Sequence, residues 1–186
     1  MRAALLNKIK ELLHQKRSNP LLIVIDGPAG AGKTTLAREI LSCLHVGEVI
    51  HGDDLYNGWS DALTDTLELN IKAWVLQPLR AGMLPRYQRY DWDLGKYRSE
   101  VVVPKTPLII LEGVGVALPA VTTYADLSIW IDIDPDFGLE RVIARDGGAI
   151  ADEMRQWILV QDRFFALHRN RENCSLHLPY GAPAQP

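Results

Sequence analysis

The sequence predicts an α/β fold built on a parallel sheet with helices on its faces, and two observations lead to this prediction. Short apolar runs rich in β-branched residues recur along the 186-residue chain and alternate with longer segments of helical periodicity. A glycine-rich segment directly follows the first of these runs and opens a helix. Strands that alternate with helices form parallel β-α-β units with right-handed crossovers, so the two patterns together indicate this class.

The composition is typical of a globular protein, with 47% hydrophobic and 23% charged residues. We expect one domain over residues 1–178 and a flexible tail over 179–186, where prolines are frequent. Cys43 and Cys174 have no neighbouring cysteine at C-x-x-C spacing and are expected to be unpaired thiols. Unpaired thiols favour a reducing, cytoplasmic location.

The charge balance disfavours nucleic acid as a partner, because 20 basic residues stand against 23 acidic ones and the net charge is −3. No apolar run approaches the roughly 18 residues of a membrane span, so we expect no membrane association. The expected partner is a small-molecule substrate, and the expected assembly is a monomer or a homodimer.

The first element is an amphipathic helix predicted over residues 3–17. Leu5, Ile9 and Leu12 recur at helical spacing, with basic residues on the other face. A basic amphipathic N-terminus can also be a transit peptide, but Glu11 interrupts the basic pattern and a buried strand follows closely. We therefore expect this helix to pack against the sheet.

The remaining elements follow in order. Runs typical of strands buried on both faces lie at 21–26, 48–51, 108–112 and 127–133. Helical patterns lie at 34–44, 62–81, 135–145 and 150–167. A short candidate strand follows at 174–178, and segments 86–92 and 96–103 are predicted to pair as an antiparallel hairpin.

A phosphate-binding loop is predicted directly after the first strand. The sequence from Gly27 to Thr34 fits G-x-x-x-x-G-K-[ST] at every fixed position and lies between a strand and a helix. Glycines let the backbone N–H groups approach phosphate oxygens, and Lys33 would contact the β- and γ-phosphates. The alternative is a glycine-rich turn without a ligand. The residues expected to bind nucleotide are Gly27, Gly30, Ala31, Gly32, Lys33, Thr34 and Thr35.

Acidic residues end two of the predicted strands. Asp53 and Asp54 follow the second strand, and Glu112 ends the third, so all three should meet at the carboxyl edge of the sheet. Asp53 could accept the proton of a substrate hydroxyl, whereas a loop turn or helix cap is the plain alternative. The metal ligands expected for Mg²⁺ are Thr34 and Glu112, although Glu112 could also be a solvated strand end.

Two arginines are candidates for a mobile segment that closes over the phosphates. Arg141 and Arg145 lie four residues apart on one predicted helix, and Gly147 and Gly148 follow. Such cations would neutralise charge on a transferred phosphate. They could instead pair with Asp136 or Glu140 on the surface of their own helix.

These motifs, in the order G-P-A-G-A-G-K-T, G-D-D-L-Y, I-I-L-E-G and E-R-V-I-A-R-D, resemble the uridine kinase and phosphoribulokinase branch of P-loop small-molecule kinases. The resemblance covers roughly residues 20–178. It implies a three-layer α/β/α sandwich with a five-stranded parallel core of order 2-3-1-4-5, a small lid, and ATP as the phosphate donor. It implies that Asp53 is the general base, that Tyr56 is the motif's tyrosine, and that Arg141 and Arg145 form the lid. Asp54 stands where the family has serine.

The predicted hairpin is the candidate acceptor site. In uridine kinases an insertion at this place holds the nucleoside, and Tyr90-Asp91-Trp92 resembles its binding element, while Arg89 is available for a polar or anionic acceptor. The alternative is an exposed hairpin with cross-strand aromatic pairs. The residues expected to bind substrate are Asp53, Tyr56, Arg89, Tyr90, Asp91 and Trp92. The other tryptophans, among them Trp59 and Trp157, are expected mainly to pack.

The expected activity is transfer of the ATP γ-phosphate, with Mg²⁺, to a hydroxyl group of a small molecule, which is expected to be a nucleoside or another hydroxylated metabolite. Lys33, Asp53, Arg141 and Arg145 are the expected catalytic residues. A GTPase is disfavoured because the chain has no N-K-x-D element. An ATP-binding regulator with slow hydrolysis and a polynucleotide 5′-hydroxyl kinase remain as alternatives.

Overall fold

The computed structural model describes residues 2–180. Its strands are β1 (Leu21–Asp26), β2 (Glu48–His51), β3 (Arg86–Asp91), β4 (Lys96–Val102), β5 (Leu108–Glu112), β6 (Leu127–Asp132) and β7 (Leu176–Pro179). Its α-helices are α1 (Arg2–His14), α2 (Lys33–Leu44), α3 (Gly52–Leu55), α4 (Asp65–Ile71), α5 (Gln77–Arg80), α6 (Pro119–Thr122), α7 (Pro135–Asp146), α8 (Ala151–His168) and α9 (Asn170–Asn173).

A parallel sheet of five strands forms the centre of the fold, in the order β2-β5-β1-β6-β7. The predicted α/β class is therefore confirmed. The expected order, 2-3-1-4-5, numbered only the five strands of the sheet. When all seven strands are numbered along the chain, the same order is written β2-β5-β1-β6-β7. Strands β3 and β4 intervene along the chain and form a separate antiparallel hairpin, as the alternating sequence predicted.

Side chains of β1 point alternately to the two faces of the sheet, and all six residues of the strand are buried. Leu22 and Val24 enter the apolar cluster on one face, and Ile23 enters the cluster on the other. The second cluster includes Leu5 and Ile9, so α1 packs on the sheet as its periodicity predicted.

The helix predicted over 62–81 is divided in the structure. Thr64 caps α4 by accepting a hydrogen bond from the N–H of Thr66, so the helix begins at Asp65. A π-helical segment, Lys72–Leu76, then separates α4 from α5. Pro78 has no N–H to donate to the carbonyl four residues before it, and a local π-helical turn is a known response to a break in the helical ladder.

The C-terminal strand β7 extends to Pro179, and the N–H of Tyr180 donates to the carbonyl oxygen of Asp132 at 2.7 Å. Residues 179 and 180 therefore continue the sheet edge, whereas the sequence placed them in a flexible tail. The rest of the predicted tail, 181–186, lies outside the described residues. Within residues 2–180, no helix combines the length and the apolar character needed to cross a membrane.

Candidate active site

The loop between β1 and α2 has a backbone that glycine alone accommodates at two positions. Gly27 has φ of 148°, and a Cβ atom there would lie 2.6 Å from the carbonyl oxygen of Ile131. Gly30 has φ of 78°, and a Cβ atom there would lie 2.3 Å from the carbonyl oxygen of Gly138 in α7. Both angles are unfavourable for residues with a side chain, and both distances exclude one. The loop is therefore packed tightly between β6 and α7.

A buried carboxylate, Asp26, anchors the start of this loop. Its Oδ1 accepts hydrogen bonds from the N–H groups of Gly27 at 2.6 Å and Gly115 at 2.9 Å. Its Oδ2 accepts from the N–H of Ala117 at 2.8 Å and from Nδ2 of Asn170 at 3.0 Å. Burial raises the pKa of this carboxyl, while the backbone donors oppose the shift. Asp26 thus joins the loop to the segment after β5 and to α9, a role that the sequence analysis missed.

Lys33, the first residue of α2, is buried and folds back over the loop. Its Nζ donates hydrogen bonds to the carbonyl oxygens of Gly27 at 2.8 Å and Pro28 at 2.9 Å. Burial lowers the pKa of Lys33, and the nearby acids Asp26 and Glu112 oppose that shift. The ammonium group therefore lies at the mouth of the loop with only carbonyl oxygens as hydrogen-bond partners.

Glu112 lies next to the hydroxyl group of Thr34. The Oγ1 of Thr34 donates to Oε1 of Glu112 at 3.0 Å, and Nδ1 of His51 lies 2.5 Å from the same oxygen. Strands β2 and β5 place His51 directly opposite Glu112 in register. The hydrogen bond to Glu112 is the main cause that raises the pKa of His51.

The Oγ1 of Thr34 and the Oε1 of Glu112 form a pair of oxygen atoms that fits Mg²⁺. This ion takes hard oxygen ligands and uses only one or two protein groups beside phosphate and water. Residues 2–180 contain no group of three or more His, Cys, Asp or Glu side chains arranged to hold a metal. The hydroxyl of Thr34 and the carboxylate of Glu112 are the residues that would hold Mg²⁺ beside a bound triphosphate. That assignment stays a prediction.

Asp53 lies in α3, directly after β2, and its side chain is exposed to a cleft. Gly52 packs against Gly113, since a Cβ atom on Gly52 would lie 3.1 Å from the Cα of Gly113. This close approach places Asp53 near the end of β5. Desolvation by the surrounding protein raises the pKa of Asp53, and the like charge of Glu112 raises it further.

The two candidate lid arginines lie on α7 and line the same cleft. Arg141 donates from Nη1 to the carbonyl oxygen of Gly30 at 2.9 Å, and its guanidinium lies 4.4 Å from the centre of the Tyr180 ring. Arg145 pairs with Asp146 through two hydrogen bonds of 2.6 Å each. Neither arginine pairs with Asp136 or Glu140, the acids named as the alternative, although Arg145 does pair with an acid of its own helix.

The cleft has a volume of about 570 Å³ and two different walls. One wall is the phosphate loop with α7, and the other is aromatic and apolar. Trp59 lies at the centre of the aromatic wall, with ring centres 5.3 Å from Trp92 and 5.5 Å from Trp157. The predicted site residues that line the cleft are Gly30, Gly32, Lys33, Thr34, Thr35, Asp53, Tyr56, Trp92, Glu112, Arg141 and Arg145.

Trp59 and Trp157 were expected mainly to pack; Trp157 does belong to the buried core, and both residues also line the cleft. Gly27 and Ala31 are loop residues outside the lining; Ala31 is buried against the sheet. Tyr56 contributes its ring to the lining, but its hydroxyl donates to the carbonyl oxygen of Val114 at 2.7 Å. Burial raises the pKa of Tyr56 well above its usual value.

Three of the predicted substrate-binding residues lie outside the lining of the cleft. Arg89 donates from Nε to Oδ2 of Asp54 at 3.1 Å. Asp91 closes the hairpin turn by accepting from the N–H of Leu94 and from Arg98. Tyr90 packs against Tyr97 of β4 with ring centres 5.4 Å apart, the cross-strand aromatic pairing given above as the alternative. Arg89, Tyr90 and Asp91 instead line a separate cavity on the hairpin, and their role in holding the acceptor stays a prediction.

The chain is similar to known proteins in sequence and in structure, although no family model matches it. A uridine kinase from Ligilactobacillus salivarius (strain UCC118) is 33% identical over 150 residues, which cover 70% of this chain and 68% of that protein. A possible uridine kinase from Bacillus stearothermophilus has a TM-score of 0.65 at 18% identity, covering 93% and 96% of the two chains. D-glycerate 3-kinase from Cryptococcus neoformans var. grubii has a TM-score of 0.58 at 14% identity, covering 91% and 86%. The two structural likenesses show a shared fold.

Proposed function

The chain belongs to the uridine kinase family of P-loop kinases, and from this premise we propose that it transfers the γ-phosphate of ATP to a hydroxyl group of a nucleoside. As a member of that family it is a phosphotransferase with an alcohol acceptor and a small-molecule substrate. One observation carries the proposal: the carboxyl group of Asp53 lines the same cleft as Lys33 and Thr34. An acid placed there lies where a terminal phosphate and an incoming hydroxyl would meet.

The phosphate loop would hold the triphosphate. Gly32 is the N-cap of α2, so a phosphate held by the loop would lie at the positive end of the helix dipole, which favours an anion. Lys33 would exchange its two carbonyl partners for phosphate oxygens, a stronger charge-assisted contact. When bound, Mg²⁺ would neutralise charge on the phosphates, held by Thr34 and Glu112.

Asp53 would accept the proton of the attacking hydroxyl. A raised pKa makes a carboxylate a stronger base, and desolvation by the surrounding protein raises the pKa of Asp53. Arg141 and Arg145 line the cleft from α7 and would stabilise negative charge on the transferred phosphoryl group. Together these groups supply positioning and electrostatic stabilisation, the two main contributions to phosphoryl transfer.

The cleft favours a neutral, flat acceptor. Its aromatic wall offers stacking surfaces at Trp59 and Trp92 close to Asp53. Among the described residues, the cations lining the cleft belong to the phosphate loop and α7, while Arg89 is paired with Asp54 outside it. An acceptor with a carboxylate would have to leave that charge beside aromatic rings, which is costly. A nucleoside has the required planar base and primary hydroxyl.

The proposal is tested by ADP release from the purified chain with ATP, Mg²⁺ and one acceptor at a time. We expect uridine or cytidine to raise the rate of ADP release above the rate that the chain shows without an acceptor, when water takes the phosphate. We expect glycerate or shikimate to leave that rate unchanged. The variant Trp59→Ala should raise the KM for the nucleoside and leave the affinity for ATP unchanged. Turnover that rises only with the carboxylate acceptors, or with none, would contradict the proposal.

A further inference from the structure

The catalytic segment α3 is held from the side by the β3–β4 hairpin, and not only by the sheet below it. In this helix of four residues the carbonyl oxygen of Gly52 accepts from the N–H of Tyr56, whereas the carbonyl groups of the last three residues need partners from outside the helix. Trp92 donates from Nε1 to the carbonyl oxygen of Asp53 at 3.2 Å. The hydroxyl of Tyr97 donates to the carbonyl oxygen of Leu55 at 3.1 Å. The hairpin therefore supplies hydrogen bonds on both sides of Asp54.

Asp54 completes this contact with its side chain. Its Oδ2 accepts hydrogen bonds from Nε of Arg89 at 3.1 Å and from the hydroxyl of Tyr87 at 3.3 Å. The side chain of Asp54 is only 18% exposed, whereas that of Arg89 is 51% exposed. Residues 53, 54 and 55 are thus each bonded by hairpin side chains, and the middle contact is an ion pair.

We propose that Arg89 and Asp54 are positioning residues, which fix the direction of the Asp53 carboxyl through the hairpin. The inference rests on the proposed function, in which Asp53 is the base. Asp53 and Asp54 are consecutive in a short helix, so a rotation of α3 that moves one side chain also moves the other. The packing of Gly52 on Gly113 holds the start of α3, and the Arg89–Asp54 pair holds its centre against rotation.

This role differs from direct binding of the acceptor by Arg89. An arginine that binds the acceptor would line the cleft and would contribute to KM. Arg89 lies outside the lining and already uses its Nε on Asp54. A group that only orients a base contributes to the rate of the chemical step, since misplacement by about 1 Å can lower a rate roughly a hundredfold.

The test compares Arg89→Gln, Asp54→Asn and the double variant with the unmodified chain, in kcat and KM for the acceptor and in affinity for ATP. We expect each single variant to lower kcat by about tenfold to a hundredfold, with both KM and ATP affinity within about twofold. The double variant should lose no more kcat than either single variant, because each of the three variants removes the same ion pair between Arg89 and Asp54. Arg89→Lys should recover part of kcat.

The matched control is Arg86→Gln, which removes a more exposed ion pair of the same hairpin, that with Glu100, and leaves α3 untouched. It should keep normal kcat, and the melting temperatures of all variants should stay close together, since the arginine of each pair is at least half-exposed and such ion pairs add little stability. Unchanged kcat in both single variants, additive losses, or a rise in KM alone for Arg89→Gln would overturn the inference while the proposed function stands. No phosphate transfer by the unmodified chain would overturn the proposed function, and this inference with it.

Discussion

The Nζ of Lys33 donates a hydrogen bond to the carbonyl oxygen of Gly27 at 2.8 Å, so the lysine of the phosphate loop closes on the first residue of that loop. With Pro28 as its second acceptor, the ammonium group has two carbonyl oxygens as partners, beside the loop that we propose to bind phosphate. A buried cation whose partners are neutral carbonyl oxygens would form stronger hydrogen bonds with an anionic ligand, because both groups would then be charged.

Replacing this cation should weaken nucleotide binding. We expect Lys33→Met to raise the Kd for ATP by about tenfold to a hundredfold, because a hydrogen bond to a charged group contributes roughly 1.5–3 kcal/mol. Isothermal titration measures the change. Lys72→Met, which removes an exposed lysine paired with Glu68 on the surface, is the control and should bind ATP normally. Equal affinity in the two variants would argue against a phosphate role for Lys33.

Loss of the carboxylate at Asp53 should affect turnover and not binding. We expect Asp53→Asn to lower kcat by roughly 10² to 10⁴ fold, the range for a lost general base, with ATP affinity nearly unchanged. Asp93→Asn, at the exposed tip of the hairpin, is the control for the same chemical change. A kcat for Asp53→Asn close to that of the control would remove Asp53 from the reaction.

The pH dependence of kcat/KM should report the environment of Asp53. A base must be ionised, so the rate rises with pH through its pKa, and desolvation with the charge of Glu112 moves that pKa above that of an ordinary aspartate. Protonated His51 lowers the pKa of Asp53, so His51→Gln should move the acid limb to higher pH. A limb that moves to lower pH in His51→Gln, or that persists unchanged in Asp53→Asn, contradicts this assignment.

Replacing the buried carboxylate of Asp26 should lower the free energy of unfolding. Asparagine has one acceptor oxygen, and its NH₂ group would meet donors, so Asp26→Asn leaves buried N–H groups such as that of Ala117 without an acceptor. We expect the free energy of unfolding to fall by about 3 kcal/mol, since each unsatisfied buried group costs roughly 1–3 kcal/mol. Urea unfolding measures this. Asp65→Asn, in the exposed first turn of α4, should cost less than about 1 kcal/mol, and a similar cost at both positions would refute the anchor.

Features carried by contiguous residues could be predicted from the sequence. The strand Leu21–Asp26 and the loop after it are local patterns, and the α/β class follows from their alternation with helices. Asp53 and Glu112 could be placed at one edge of the sheet because both directly follow or end parallel strands. Their roles in catalysis and metal binding stay predictions.

Features that depend on distant residues could not be predicted. The donors to Asp26 include groups 89, 91 and 144 positions away, and no local pattern brings them together. Trp59 resembles any packing tryptophan until the fold places it beside Trp157. Arg89 was interpreted as free for a ligand, because the sequence does not show that the hairpin lies against Asp54.

The most direct measurement of the central claim is identification of the product. The purified chain is incubated with ATP, Mg²⁺ and uridine, and ³¹P NMR follows the terminal phosphate. We predict a nucleoside monophosphate formed together with ADP, with its phosphate on the primary hydroxyl, and no such product with Asp53→Asn over the same time. ATP converted only to ADP and inorganic phosphate, at one rate with and without nucleoside, would contradict the account.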